Sequence, residues 1–314
     1  MKIMNIHRRI SFLIICCCLS FTSLSQQLPQ LTQYMINNYA INPAVAGMHD
    51  YYQVKTTIRN QWVGITDAPT TTILSIYGKK DKHVGLGGLV YNDQVGPTSR
   101  TGGTFSYTYH FDITRKLRMS LALSAGFTQF KIDKLGWNVK NSADPLTQGD
   151  IIVDAAPDAT FGFNLYAENW YLGAAIPQLL STNLELLDRD FARNFDKEMK
   201  GALNRHFFVL GAYKHSFNPY WEIEPSILLK TVAPTPMQID VGVKTIYDDK
   251  LWFGMDYRSN GDIGALLGYS FMERFMIGYS YDIVNTDLSE YAPGSHEFML
   301  GIKFVPSDEK EIMK

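Results

Sequence analysis

Strict alternation of apolar and polar side chains is the feature that most constrains how this chain folds. From His296 to Phe304, every second residue is large and apolar, and the residues between them are polar or smaller, with Met299 as the exception. The stretch from Arg274 to Ile283 alternates in the same way. Because successive side chains of a β-strand point to opposite faces, each stretch predicts a strand with one apolar face. That face must meet either a second sheet in a soluble sandwich or lipid in an outer-membrane barrel.

Composition is consistent with alternating strands. Hydrophobic residues make up 46% of the chain, aromatic residues 13% and charged residues 19%, yet the mean hydropathy is only -0.12. A helical membrane protein would be far more apolar, since each spanning helix needs about 20 apolar residues in a row. Strands that alternate between the two kinds of side chain produce both values together.

The N-terminus has the three parts of a secretory signal peptide. Lys2, Arg8 and Arg9 give a positive charge, Ile10–Phe21 is an apolar run, and Ser23–Ser25 offers small residues for cleavage before Gln26. The alternative is a membrane anchor helix, but the run is short against the ~20 residues needed to span a bilayer.

Cleavage would remove all the cysteines and three basic residues. The mature chain would then have no thiol chemistry. It would carry 26 basic and 31 acidic residues, a net charge of -5, which gives no argument for binding nucleic acid.

The sequence predicts about fourteen strands, and the length of a connection depends on whether it follows an odd-numbered or an even-numbered strand. The long connections follow odd-numbered strands, at Asp93–Thr104, Lys131–Asp158, Gln178–Arg205 and Val284–Gly294, whereas those after even-numbered strands are tight. This asymmetry is typical of outer-membrane barrels and has no counterpart in a sandwich. We therefore predict an all-β fold, a transmembrane antiparallel β-barrel of about 14 strands with long loops extracellular and short turns periplasmic.

The barrel prediction also implies where the domain boundaries lie and which two strands close the barrel, a strand pair that we call the seam. The last strand should pair with the first, predicted at Tyr51–Trp62, because only closure removes both sheet edges. In the third predicted connection, Thr182–Leu203 has the spacing of one short amphipathic helix. The predicted units are a cleaved signal peptide at 1–25, an N-terminal periplasmic or plug segment at 26–50, the barrel at 51–304 and a charged periplasmic tail at 305–314.

No spacing in the sequence points to an enzyme. The chain has none of the common hydrolase, phosphate-binding, dinucleotide-binding or calcium-loop motifs, and its histidines are scattered singly. We predict no cofactor, no metal site and no catalytic residue. Charges of both signs nevertheless occupy the inward faces of the predicted strands, which indicates either paired networks in a narrow lumen or hydrated side chains in a wet one. These residues are Arg118, Glu222, Glu224, Lys230, Asp240, Lys244, Asp256, Arg258, Arg274 and Asp282.

Several short motifs in the first third of the mature chain resemble the PorP/SprF family of Bacteroidetes outer-membrane proteins. They are Gln33-Tyr34-Met35, Asn42-Pro43-Ala44 with Gly47, Arg59-Asn60-Gln61-Trp62, Pro69-Thr70-Thr71, and Asp93 with Gly96 after a glycine-rich strand. The resemblance implies a role in the type IX secretion system and, in some relatives, in gliding motility. It implies as partners outer-membrane lipid, a secreted surface protein such as a large adhesin, and other secretion components in the periplasm and outer membrane.

Two functions follow as hypotheses. The first is a non-enzymatic component of the cell outer membrane that supports export or surface attachment of the secreted partner. The alternative is an outer-membrane transporter for hydrophobic small molecules, which predicts an apolar pocket behind the N-terminal segment. The family-motif residues, as structural groups or partner contacts, are Asn42, Pro43, Gly47, Arg59, Gln61, Trp62, Pro69, Asp93 and Gly96.

Overall fold

A computed structural model describes residues 28–134, 151–185, 200–285 and 287–304; the predicted signal peptide and charged tail lie outside these ranges. The described chain consists of strands, turns and short 3-10 turns. The first seven strands are β1 (Tyr52–Asn60), β2 (Thr70–Asp81), β3 (Val84–Val95), β4 (Thr98–Asp112), β5 (Arg118–Asp133), β6 (Ile151–Tyr166) and β7 (Trp170–Ile176). The next five are β8 (Asn183–Glu185), β9 (Lys200–Ala202), β10 (His206–Tyr213), β11 (His215–Ser216) and β12 (Trp221–Val232). The last five are β13 (Gln238–Tyr247), β14 (Leu251–Arg258), β15 (Ile263–Phe271), β16 (Phe275–Ile283) and β17 (Gly294–Phe304).

Fourteen of these strands form one closed antiparallel barrel, as predicted. Each of the fourteen strands pairs with the barrel strands before and after it in the chain. The short strands β8 and β9 form a separate two-stranded sheet. The two-residue strand β11 follows β10 and pairs with β12. The predicted seam is confirmed, because β1 pairs with β17 over its whole length, from Tyr52 opposite Phe304 to Asn60 opposite His296. Closure leaves no free sheet edge among the barrel strands.

The apolar faces point out of the barrel. In β15 the burial alternates without a break, and outward side chains such as Leu267 and Leu300 are exposed for 54% and 60% of their surface. Their neighbours Leu266 and Met299 face the lumen and are buried. An exposed apolar belt of this extent is compatible only with lipid as its solvent. Within the described ranges, no helix is both long and apolar enough to cross a membrane.

Two predicted connections were wrong. The sequence placed a long loop at Asp93–Thr104, but β3 and β4 continue to a tight turn at Gly96-Pro97. Glycine and small polar residues on these strands hid the alternation that would have extended them. The helix predicted at Thr182–Leu203 is also wrong where the structure describes this stretch, because its two ends form the strands β8 and β9, which pair with each other. The centre of the stretch lies outside the described residues.

Loop lengths still distinguish the two ends of the barrel. Connections 134–150, 177–205 and 284–293 share one rim, and the opposite rim carries only short turns such as 82–83, 167–169 and 248–250. In outer-membrane barrels the long-loop rim is extracellular and the short-turn rim periplasmic. Barrel ends are named in this sense below.

Candidate functional site

The chain before β1 lies inside the barrel and runs along its axis. We call residues 28–48 the lumen segment. At the extracellular end, the Gln30 side chain donates a hydrogen bond of 2.8 Å to Gln238 at the start of β13. Just past the other end, Asp50 forms an ion pair with Lys79 near the periplasmic end of β2. The segment therefore descends from the extracellular mouth to the periplasmic rim before the first strand begins.

The lumen segment is as buried as a protein core. Tyr34 and Ala44 have no exposed surface, and Tyr39 is 3% exposed. Three 3-10 turns, Gln33–Met35, Asn38–Ala40 and Pro43–Val45, keep the segment compact and satisfy part of its backbone. The Tyr39 phenol and the Ser106 hydroxyl form a hydrogen bond of 2.7 Å, which ties the segment to β4.

Glycines on β3 make room for the segment. A Cβ atom at Gly85 would lie 2.0 Å from the backbone oxygen of Ala46, and one at Gly87 would lie 2.4 Å from the Tyr39 hydroxyl. Both distances are far shorter than any real contact, so a side chain at Gly85 would have to displace the backbone of the segment and one at Gly87 would have to displace the Tyr39 ring. The glycine-rich character of this strand is therefore explained by close approach of the lumen segment.

The motif residues Asn42, Pro43 and Gly47 organise the periplasmic half of the segment. The Asn42 side-chain oxygen accepts a hydrogen bond of 3.0 Å from the Ala44 amide and so caps the turn that begins at Pro43. Its amide nitrogen donates to the Phe163 carbonyl at 2.8 Å, which ties the turn to β6. Gly47 has a φ of +84°, which disfavours other residues, and a Cβ there would meet His110 at 2.7 Å.

A buried network of charges surrounds Thr32 in the extracellular half. The Thr32 hydroxyl donates to Asp282 at 2.6 Å and accepts from Arg59 at 2.9 Å and Arg258 at 2.6 Å. Arg59 also forms ion pairs with Asp282 at 2.5 Å and Glu297 at 3.0 Å. One hydroxyl of the lumen segment thus bridges charges from three barrel strands, β1, β14 and β16.

Glu297 fixes the backbone of the same segment. Its two carboxylate oxygens accept hydrogen bonds from the Thr32 and Gln33 amides at 2.8 Å and 3.0 Å. The Gln33 side chain donates in return to the Glu297 carbonyl at 3.1 Å. Sequence reasoning missed Thr32 and Glu297 as members of this site. The available signal was the single carboxylate at Glu297 on the lumen face of the closing strand.

The inward charges form pairs, which decides between the two alternatives left open by the sequence. Arg258 contacts Asp256 at 3.3 Å and Asp282 at 3.1 Å. Further pairs are Lys230 with Asp240 at 2.7 Å, Lys244 with Glu224 at 3.0 Å and Lys214 with Glu222 at 3.3 Å. Arg118 pairs with Asp112 at the periplasmic rim, and Arg274 is exposed in a periplasmic turn instead of lining the lumen.

Five motif residues meet at the extracellular mouth around a cavity of about 270 Å³. Three of them hold the backbone there: the Gln61 amide donates to the Pro69 carbonyl at 2.9 Å, and the Trp62 amide donates to the Ser295 hydroxyl at 3.1 Å. Asp93 accepts a hydrogen bond of 2.5 Å from Thr71. The motif residues at this mouth cavity are Arg59, Gln61, Trp62, Pro69 and Asp93.

Gly96 lies close to this mouth, in the turn between β3 and β4. Its amide donates to the Asp67 carbonyl at 3.0 Å, and its φ is +54°. The nine motif residues therefore divide into two groups, Asn42, Pro43 and Gly47 in the periplasmic half of the lumen and six others near the extracellular mouth. Among the described residues, no group of three or more His, Cys, Asp or Glu could hold a metal ion.

These features define a class of protein, an outer-membrane β-barrel whose N-terminal segment occupies its own lumen. The chain belongs to the family described as "Type IX secretion system membrane protein PorP/SprF", whose model matches residues 23–302. No curated protein resembles this chain closely enough in sequence to count as a match.

Solved structures support the fold. The toluene transporter TbuX of Ralstonia pickettii superposes with a TM-score of 0.52 at 9% identity, covering 84% of this chain and 92% of that chain. The CymD monoaromatic hydrocarbon channel gives a TM-score of 0.52 at 9% identity, covering 90% of this chain and 95% of that chain. At these identities the likeness concerns the barrel architecture alone.

Proposed function

We propose that this protein is a non-enzymatic type IX secretion component whose extracellular mouth holds a secreted surface protein, such as a large adhesin, during export or afterwards. The observation that carries the proposal is the grouping of Arg59, Gln61, Trp62, Pro69 and Asp93 around the mouth cavity. These residues, from the ends of β1 and β3 and the connection after β1, converge on a surface that loops and rigid strand ends present to the outside.

The lumen segment inside the barrel also supports binding of the partner at the extracellular mouth. Most of the lumen segment is buried against barrel side chains, so it occupies space that a polypeptide in transit would need. A partner would then be engaged at the rim and not threaded through the barrel. Other secretion components in the periplasm and outer membrane would supply the translocation step.

Substitution of Trp62 tests this proposal. Trp62 lies at the mouth cavity, and a tryptophan buried in an interface commonly contributes about 2 kcal/mol or more to binding. We expect a strain carrying Trp62→Ala, like a gene deletion, to lose the partner from its surface and to release it into the medium or retain it in the periplasm. Quantitative proteomics of the surface, periplasmic and medium fractions measures the outcome.

Tyr220→Ala is the matched control, since Tyr220 is an exposed aromatic residue at the periplasmic rim. It should leave the surface proteome as in the wild type, with equal barrel levels in immunoblots of all strains. Unchanged surface and medium proteomes in both the Trp62→Ala strain and the deletion strain would contradict the proposal.

A second candidate, transport of hydrophobic small molecules, is favoured by one specific observation. A mostly apolar cavity of about 110 Å³ lies between the lumen segment and the wall, lined by residues that include Leu31, Ile41, Leu89, Tyr91 and Phe208. Its position behind the lumen segment is the one that the transport hypothesis predicts.

Flux measurements separate the two candidates. Transport predicts uptake of a small aromatic solute, for example toluene, into liposomes that contain the purified barrel. It also predicts that Leu89→Trp, which fills the cavity, lowers the rate at least tenfold, with outward-facing Val90→Trp as the control. Equal permeability of barrel-containing and empty liposomes would exclude this function.

A further inference from the structure

A second cavity opens at the opposite end of the barrel, away from the mouth. It has a volume of about 370 Å³ and lies between the lumen segment and a wall to which β1, β2, β7, β10, β12, β13, β16 and β17 contribute residues. The exposed turn residues Asn169 and Asp249 at its edge place its opening on the periplasmic rim. We call this cavity the vestibule. Its wall includes Lys55, Lys303, Tyr51, Tyr77, Trp170 and Tyr171.

Lys55 is a buried lysine without a carboxylate partner in the described part of the chain. It is 4% exposed, and its ammonium group donates to the Ile36 carbonyl at 2.5 Å and to the Tyr77 hydroxyl at 3.1 Å. An ammonium group has three donors, so one remains for a further acceptor. A buried charge that lacks an opposite charge is costly, and a bound anion would relieve that cost.

Lys303 lies near Lys55 and is half-buried, and it too has no carboxylate in ion-pair contact in the described part of the chain. Its ammonium group lies 5.1 Å from the centre of the Tyr51 ring, and no described carboxylate is within 4.0 Å of it. Lys55 is opposite Gly301 and Lys303 is opposite Gln53 in the paired strands, so the two lysines are diagonal neighbours on one inward face. Gly301 adds no side chain between them.

The other vestibule lysines are neutralised by nearby acids. Lys244 pairs with Glu224 at 3.0 Å and Lys214 pairs with Glu222 at 3.3 Å. The remaining acids of the vestibule, Glu168 and Asp249, are exposed at the rim, where water and salt weaken their effect. The unpaired positive charge is therefore concentrated on the β1–β17 wall.

We propose that the vestibule binds an acidic peptide segment presented from the periplasm, with one carboxylate held between Lys55 and Lys303. Tyr51 and Tyr171 offer ring faces and edges to an apolar or aromatic residue next to that carboxylate. A peptide suits the space better than a small anion, because the cavity extends from the two lysines to Tyr171 on β7. The site is distinct from the mouth and does not depend on the function proposed for it.

Peptide binding to the purified full chain in detergent tests the proposal. The probe is a fluorescein-labelled hexapeptide with three glutamates and one tryptophan, and the control peptide has glutamine in place of each glutamate. Fluorescence polarisation should show saturable binding of the acidic probe. The control peptide should bind about tenfold more weakly, since it cannot form charge-assisted hydrogen bonds with the lysines. Lys303→Gln and Lys55→Met should each weaken the acidic probe about tenfold.

Lys250→Gln is the matched control. Lys250 lies on the same rim but outside the vestibule, paired with Asp248 at 2.5 Å. It should bind the probe like the wild type, and the heat-dependent shift in gel mobility checks that every variant is folded. Equal affinity for the two peptides, or equal weakening by Lys250→Gln and Lys303→Gln, would overturn the proposal.

The chain's own acidic tail is the competing occupant. Residues 305–314 follow directly after β17 and include Asp308, Glu309 and Glu311. We expect the full chain and a chain ending at Pro306 to bind the probe with similar affinity. Binding by the shortened chain alone would assign the vestibule to the tail and overturn the proposal of an external peptide.

Discussion

Replacing Arg59 with alanine is expected to lower the free energy of unfolding of the barrel by about 3–5 kcal/mol. The substitution leaves Glu297 buried without a cation in ion-pair contact among the described residues, removes one of the two guanidinium groups that contact Asp282, and removes a hydrogen bond to Thr32. Isolated buried charges of this kind are among the most destabilising defects in a protein. Urea titration of the purified barrel in lipid vesicles, followed by tryptophan fluorescence, measures the change.

Two variants on the same strand make this prediction specific. Arg59→Lys keeps the positive charge but cannot contact both carboxylates as the guanidinium does, so we expect a loss of unfolding free energy between those of the wild type and Arg59→Ala. Thr57→Val is the control, because Thr57 is equally buried and its hydroxyl has no hydrogen-bond partner in the described structure. That variant should stay within about 0.5 kcal/mol of the wild type. If Arg59→Ala behaved like Thr57→Val, the network would not stabilise the barrel.

Replacing Gly85 with alanine is expected to displace the lumen segment. The added carbon would lie 2.0 Å from the Ala46 oxygen and 2.5 Å from the Ala46 carbonyl carbon, and neither backbone atom can move without shifting the segment. Overpacking of this kind costs about 1–3 kcal/mol. Planar bilayer recordings should therefore show larger or more frequent ion conductance than the wild type, together with lower resistance to urea.

The neighbouring Gly88 provides the control for this experiment. It faces outward on the same strand, and a Cβ there would meet Ile76 at 3.6 Å, an ordinary contact. Gly88→Ala should leave the conductance unchanged and the stability equal to or slightly above that of the wild type. Equal conductance in the two variants would show that the lumen segment does not depend on the space at Gly85.

The barrel was predictable because its signal is local and repeated. Alternation in stretches such as 274–283 and 296–304 fixes which face is apolar, and closure follows from the need to pair the first strand with the last. Prediction failed where the signal was weak. The polar and glycine-rich ends of β3 and β4 were taken for a loop, and the ends of the 182–203 connection were taken for a helix.

The candidate sites were only partly predictable. Motif resemblance selected Arg59, Gln61, Trp62, Pro69 and Asp93, but not their meeting at one cavity. Thr32 and Glu297 carried no motif, although they join the lumen segment to the closing strand. The same limit applies to the vestibule, where Lys55 and Lys303 are 248 positions apart and adjacent only because β1 pairs with β17.

The sequence by itself determined the kind of solvent that each face of the strands meets, since side-chain alternation is a property of neighbouring residues. It also indicated which rim carries the longest connections, although the connection predicted at Asp93–Thr104 is a tight turn. Only the tertiary structure decided what fills the lumen and which charges are paired there. Those contacts join residues separated by up to 265 positions, such as Thr32 and Glu297, and their distances depend on barrel closure and register, which no local pattern specifies.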